Sequence, residues 1–281
     1  MPSLPTILKV GAIVCVLIGV AVGFVFLKKY VEKTSPLAEE TLPIELVDVP
    51  DWVTEPLKEK IYAAARAYGQ DMSIDENTAS SVQQNIETLV AWLRQVKVQV
   101  THDTIRISGR WRKPLALVKR GLQSFYVDEE LVVMDFVPVP NLPIVKVKGL
   151  SSAAKPPLPG DIWQSDDLAA AVAVLARLQK MDKLISPDKP LLDEIDRIDI
   201  SNFNGRENSR FPHIVLYTKD NTEIIWGAEI GTWQRHLEAT DEEKLTNLYA
   251  YYKEHGSLLG GAKYINLRYS QVNVSLPVDK Y

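Results

Sequence analysis

Cysteine is almost missing from this chain. Cys15 is the only one among 281 residues, so no intrachain disulfide and no cysteine-based metal site can form, and the count is silent on redox compartment. Histidine is scarce as well: His102, His213, His236 and His255 stand far apart in sequence, with no His-Glu-x-x-His spacing. A Gly-x-Ser-x-Gly elbow is absent. Gly260-Gly261-Ala262-Lys263 comes nearest to a phosphate loop but lacks the flanking pattern, and reads as a loop before the last strand. Acid is missing from residues 1–31, which hold Lys9, Lys28 and Lys29. The rest of the chain, with 29 basic and 36 acidic side chains, carries a net charge of −7. An acidic bulk argues against nucleic acid as a partner, because phosphate binding wants a basic surface.

Long hydrophobic runs are also lacking, with one exception. Residues 10–27, VGAIVCVLIGVAVGFVFL, contain no charged side chain. As a helix they would rise about 27 Å, close to the ~30 Å hydrocarbon thickness of a bilayer. A cleaved signal peptide would have a shorter apolar stretch and a small-x-small cleavage site, whereas Lys28-Lys29-Tyr30 follows here. The run therefore reads as an uncleaved anchor. Counting lysines on either side slightly favours a cytoplasmic C-terminal side and leaves orientation nearly even.

Beyond the anchor the composition is globular, 46% hydrophobic and 24% charged. A polar, proline-bearing linker leads to IELVDV (44–49), which reads as a strand. Thr54 is placed to cap a helix carrying Leu57, Ile61, Ala64 and Tyr68, with Gly69 as its stop. A second helix starts at Asp75 or Asn77 and has Val82, Ile86, Leu89 and Leu93 as its apolar stripe. VKVQVTHDTIRIS (96–108) is two alternating runs about His102-Asp103, a hairpin signal. The order is β-α-α-β-β, with both helices on one face of a small sheet.

From Lys113 onwards strands dominate. SFYVDEELVVMDFVPV reads as two strands about an Asp128–Glu130 turn, and LPIVKVKGL and KPPLPG follow. Ser165 opens a helix over about 166–181 that buries Leu168, Val172, Leu175 and Leu178. IDRIDISNF and HIVLYTKDNTEIIWG carry turn signals at Asn204-Gly205 and Asp220-Asn221. Thr240 and Glu243 fit a capping box for a helix that buries Leu245, Leu248 and Tyr252 and ends near Gly256. No stretch of sequence repeats.

Carboxylates are numerous: Asp166-Asp167, Asp193-Glu194, Asp196, Asp199 and Asp241–Glu243. Most fall at helix starts, where negative charge meets the positive dipole end, and those of DEIDRIDI alternate with isoleucine, as on the wet face of a strand. The six tryptophans are scattered along the chain, and packing is the default reading for each; a sugar-binding platform would need them clustered.

YINLRYSQVNVSL (264–276) raises a sharper question. Ile265, Leu267 and Tyr269 share one face, then the apolar pattern slips to Val272, Val274 and Leu276. Two readings stand level. Either Ser270 and Gln271 form an ordinary bulge and both halves pack inward, or the second half offers an apolar stripe and an open edge to a visiting chain, with Pro277 ending the pairing.

The ordering as a whole resembles the FtsQ/DivIB bacterial cell-division proteins. AWLRQVKVQVTHDTIRISGRWRKPLALV is similar to the end of that family's POTRA domain, with Arg112, Pro114 and Ala116 in its Arg-x-Pro-hydrophobic-Ala places. FYVDEELVVM resembles its strand-turn-strand, LPIVKVKG its Leu-Pro…Gly connection, and KLTNLYAYYKE with YINLRYSQVNV its closing helix and strand, Asn266 standing where Asp is frequent. The resemblance implies an α+β fold divided as a cytoplasmic tail (1–9), a transmembrane helix (10–27), a linker (28–43), a POTRA-like β-α-α-β-β domain (44–110) and a strand-rich FtsQ-type β domain with flanking helices (111–281). It implies a cytoplasmic N-terminus, an extracytoplasmic bulk and a place at the division septum. It also implies a non-catalytic scaffold without cofactor, metal or small-molecule substrate. Its partners would be membrane-anchored, FtsB/DivIC-like and FtsL-like coiled-coil proteins. The docking residues carried over by position are Arg268, Tyr269, Ser270, Gln271, Val272, Val274 and Leu276. Two other readings remain: a POTRA-bearing envelope assembly or secretion component, and a membrane-tethered wall or glycan hydrolase.

Overall fold

A computed structural model describes residues 42–67, 76–151, 155–271 and 273–275. The expected tail and anchor, most of the linker, and Tyr68, Gly69, Asp75, Val272 and Leu276 lie outside these residues. Among the described residues no helix is long and apolar enough to cross a membrane.

The chain is α+β, with four α-helices and two sheets among the described residues. The first sheet is built from β1 (Ile44–Leu46), β2 (Leu93–Val100) and β3 (Ile105–Trp111) in the order β1-β3-β2, with β1 parallel and β2 antiparallel to β3. Between β1 and β2 come α1 (Glu55–Ala65) and α2 (Glu76–Leu89). Ile105 and Ile107 alternate onto one face and meet Leu57 and Ile61 of α1 and Ile86 of α2, all buried. Burying each such side chain is worth ~1.5–3 kcal/mol. The opposite face carries Glu45, Gln99 and Arg106, so both helices share a single face as the periodicity predicts. Two local expectations fail. Leu89 is exposed, and Leu93 belongs to β2, so the α2 stripe passes from Val82 and Ile86 to Val90. The Thr54 hydroxyl does not cap α1 but donates to the Pro138 carbonyl at 3.2 Å.

The second sheet has nine strands: β4 (Ala116–Arg120), β5 (Gln123–Val127), β6 (Val133–Asp135), β7 (Val145–Lys148), β8 (Ile195–Asp199), β9 (Ile214–Thr218), β10 (Glu223–Gly227), β11 (Tyr264–Asn266) and β12 (Asn273–Ser275). Their order is β12-β11-β10-β9-β8-β7-β4-β5-β6. The helices α3 (Asp166–Ile185) and α4 (Asp241–His255) share its main core through Leu168, Leu175, Leu178, Leu245 and Leu248. No sequence repeats, yet the topology does. In β7-α3-β8-β9 and again in β10-α4-β11-β12, a helix links two adjacent parallel strands and an antiparallel strand follows. The Tyr249 hydroxyl of α4 joins the two units, lying 2.7 Å from the Asp182 carboxylate and 2.8 Å from the Leu178 carbonyl of α3. Of the two expected caps, Thr240 and Glu243 form the full capping box, with Gly256 ending α4 in the left-handed region, whereas Ser165 makes no cap hydrogen bond.

Where the two sheets approach, aromatic rings accumulate. Trp52 lies 6.4 Å from Trp92 and 6.1 Å from Trp111, and Trp92 lies 5.7 Å from Tyr126 of β5. Three of the six tryptophans are therefore neighbours, contrary to the scattered reading, because α1, β2 and β3 bring distant positions to one corner. Tyr126, Met134, Val137 and Val139, all beyond residue 110, pack into the core of the first sheet. Ion pairs cross the same corner, Lys60 to Asp135 at 2.7 Å and Arg94 to Glu130 at 2.5 Å.

Candidate partner-docking edge

The segment 264–276 is not one strand with a slipped phase. β11 and β12 are separate and antiparallel, with Tyr264 opposite Ser275, Ile265 opposite Val274 and Asn266 opposite Asn273. Residues 268–271 bend between them, so Ser270 and Gln271 belong to a hairpin connection and not to a bulge. Ile265 and Leu267 are fully buried, as their alternation predicts, but Tyr269 is 53% exposed because the bend has already turned it away from the core. Val274 packs against the main core rather than offering its side chain to a visitor.

What the hairpin does leave open is backbone. β12 has β11 on one side and no strand on the other among the described residues. The opposite rim of the sheet is closed. Gly160 donates to the Val133 carbonyl at 2.8 Å, Val133 donates to the Asp161 carbonyl at 2.9 Å, and Trp163 donates to the Leu131 carbonyl at 2.8 Å, so the 160–163 segment covers β6. An uncovered edge is a template for another strand. β12 also lacks the lysine, proline or inward charge that commonly blunts one.

Several contacts hold this edge in position. β11 lies parallel to β10, and the Leu267 N–H donates to the Ile225 carbonyl at 3.0 Å. The buried Asn266 side chain accepts from the Arg268 N–H at 3.1 Å, the Ala239 N–H donates to the Arg268 carbonyl at 2.7 Å, and the Asn247 amide donates to the Ser270 carbonyl at 3.2 Å. Ala239 is itself set by its neighbour Glu238, whose carboxylate accepts from Lys244 at 2.6 Å and from the Ala228 N–H at 2.9 Å. Lys244 is wholly buried, with its ammonium 5.4 Å from the Trp226 ring centre. A Cβ on Gly227 would come within 2.3 Å of the Glu238 carboxylate, so this pair requires glycine there. The Arg268 guanidinium lies 5.6 Å from the Tyr269 ring centre and has no carboxylate partner among the described residues. Sequence reading missed Glu238, Lys244 and Asn247; a lysine four residues before Leu248, on a buried helix face, was the available signal.

The carboxylates read as solvated are largely structural. Glu194 accepts from Leu258 N–H at 2.6 Å and from Ser257 at 3.0 Å, and it is buried. Asp167 borders a 460 Å³ cleft with Ser151, Gln164 and Arg206. Burial alone would raise its pKa, but hydrogen bonds from Ser165, the Ser151 N–H and Arg206 outweigh burial and hold the carboxyl below the usual range. Two histidines do meet, the His213 and His236 rings being 4.7 Å apart and nearly perpendicular. Burial, reinforced by His236, lowers the pKa of His213 despite Glu238 nearby. No three His, Cys, Asp or Glu side chains converge as a metal site among the described residues.

A scan against models of protein families and a search of curated proteins each find no match to this chain.

Proposed function

We propose that this protein is a single-pass membrane scaffold of the bacterial division complex, of the FtsQ/DivIB kind. It would hold membrane-anchored coiled-coil partners by adding a strand to β12. The observation that carries this reading is the asymmetry of the nine-stranded sheet, with one rim covered by residues 160–163 and the β12 rim open among the described residues. The ordering of elements, a β-α-α-β-β unit followed by a larger strand-rich one, fits the resemblance. So does the ion pair of Arg112 with Asp128 at 2.7 Å, which joins two of the stretches that carry it. Main-chain hydrogen bonding supplies affinity in strand addition. Tethering both partners to one bilayer raises their effective concentration, so weak contacts can act together.

Ending the chain at Tyr264 would remove Ile265 and Leu267 from the core, whereas ending it at Gln271 keeps both and removes β12. The tagged full chain, purified from membranes, is expected to retain FtsB/DivIC-like and FtsL-like proteins. The chain ending at Gln271 should lose them while keeping its circular dichroism spectrum. Equal recovery by the two forms would remove β12 from the account.

A further inference from the structure

Strands β4, β7, β8, β10 and β11 all finish at one end of the large sheet, and the connections that follow β4, β8, β10 and β11 share a pattern. Arg120 and Leu122 stand at the β4–β5 turn, with Leu122 wholly exposed. Arg210 precedes Phe211 in the β8–β9 connection, and Arg268 precedes Tyr269 between β11 and β12; both rings are more than half exposed. Arg235 lies two residues before Leu237 in the β10–α4 connection. Leu237 is 91% exposed and sits at φ 55°, a left-handed conformation that costs a leucine roughly 1–2 kcal/mol. That strain buys no internal packing for the side chain.

Arg210, Arg235 and Arg268 have no carboxylate partner among the described residues, and Arg120 bonds only the Ser151 carbonyl. The His213–His236 contact clamps the Phe211 and Leu237 loops together. From β4 to β11 is five inter-strand steps, so the apolar tips are spread over roughly 24 Å. Separate tips in so long a row do not line a groove for one peptide. They fit a flat surface, and because the four arginines outnumber Glu207 and Glu229, the carboxylates on the same connections without an ion pair among the described residues, that surface is negative.

We propose that this end of the sheet lies on an anionic phospholipid surface. The apolar tips enter the headgroup boundary and the arginines meet lipid phosphates. The contact is separate from strand docking, since the open side of β12 runs along the sheet and the tips crown its end.

The test uses the full chain with Cys15→Ser and a nitroxide on Gln234→Cys, which leaves every tip intact, reconstituted in vesicles. With phosphatidylglycerol present, the label is expected to become severalfold less accessible to a water-soluble nickel chelate and more accessible to oxygen. The effect should be absent in pure phosphatidylcholine, and Arg210→Glu with Arg235→Glu should abolish it. A label on Lys219→Cys, at the other end of the sheet, should stay in water throughout. Equal water access at residue 234 in both vesicle types overturns the proposal. So does shielding that appears only when a second protein is added, which would assign the tips to a protein partner.

Discussion

Ile265 and Val274 face each other directly across β11 and β12, and both point into the main core. Paired positions in this hairpin add to an odd number, so odd residues on one strand oppose even residues on the other. The apparent phase slip in YINLRYSQVNVSL is therefore a reversal of the chain. Core packing and an open edge then coexist: the Val274 side chain turns inward while one side of the β12 backbone has no neighbouring strand among the described residues.

That arrangement predicts unequal costs for truncating the pair. Ile265→Ala should lower unfolding free energy by about 2–5 kcal/mol, the usual cost for a buried isoleucine. Val274→Ala, only partly buried at the rim, should cost less than about 1.5 kcal/mol. Urea denaturation measures both. A Val274 cost equal to that of Ile265 would mean β12 is enclosed and not an edge.

The buried Lys244–Glu238 pair should behave asymmetrically. Glu238→Gln leaves the Lys244 ammonium in the core without its counter-charge, and about 3–5 kcal/mol is expected to be lost. Replacing both together, Lys244→Met with Glu238→Gln, should cost less than the single change. Thermal melts of the two variants decide this, and a single variant as stable as the parent would show that the pair does not hold the 238–239 segment.

His213 gives a signed pH dependence. Its folded pKa lies below the ordinary value of 6.5, first through burial and then through His236. The unfolded chain therefore binds the proton more readily, and stability must fall as pH drops below about 6.5. His213→Phe should flatten that slope between neutral and mildly acidic pH. Denaturation midpoints across the range would show it, and an unchanged slope would contradict the assignment.

Asp128 ties the turn between β5 and β6 to the rest of the chain. One carboxylate oxygen accepts from the Glu130 and Val132 N–H groups, each at 2.9 Å, while the other meets Arg112. Asp128→Ala leaves the Glu130 and Val132 N–H groups without their acceptor and the Arg112 guanidinium with Glu130 as its remaining carboxylate partner, at 2.9 Å, and about 2–4 kcal/mol should be lost. Asp128→Asn should recover part of it, because an amide oxygen can still accept from the turn. Chemical denaturation of both variants checks the order.

Much of the fold was legible in the sequence, for identifiable reasons. Long amphipathic stripes such as Leu168-Val172-Leu175-Leu178, the Thr240–Glu243 capping box and the His102-Asp103 hairpin are local signals, and tertiary contacts did not override them. What escaped were long-range pairings. Thr54 satisfies the Pro138 carbonyl instead of its own helix, Leu93 leaves the helix period to start β2, and Glu194 bonds a loop more than sixty residues away. The docking segment was found by its position but misread in form, since alternation alone does not separate a bulge from a tight return. The clustered tryptophans and the His213–His236 contact were likewise invisible to spacing, because separate strands and connections bring them together.

The most direct test of β12 as a docking edge is amide hydrogen exchange at Asn273–Ser275, in the full chain alone and in complex with the proposed coiled-coil partners. An edge paired on one side should exchange quickly in the free protein and become strongly protected in the complex, while β8 and β9, central in the sheet, change little. Unaltered exchange at these residues in an intact complex would contradict strand addition at this rim.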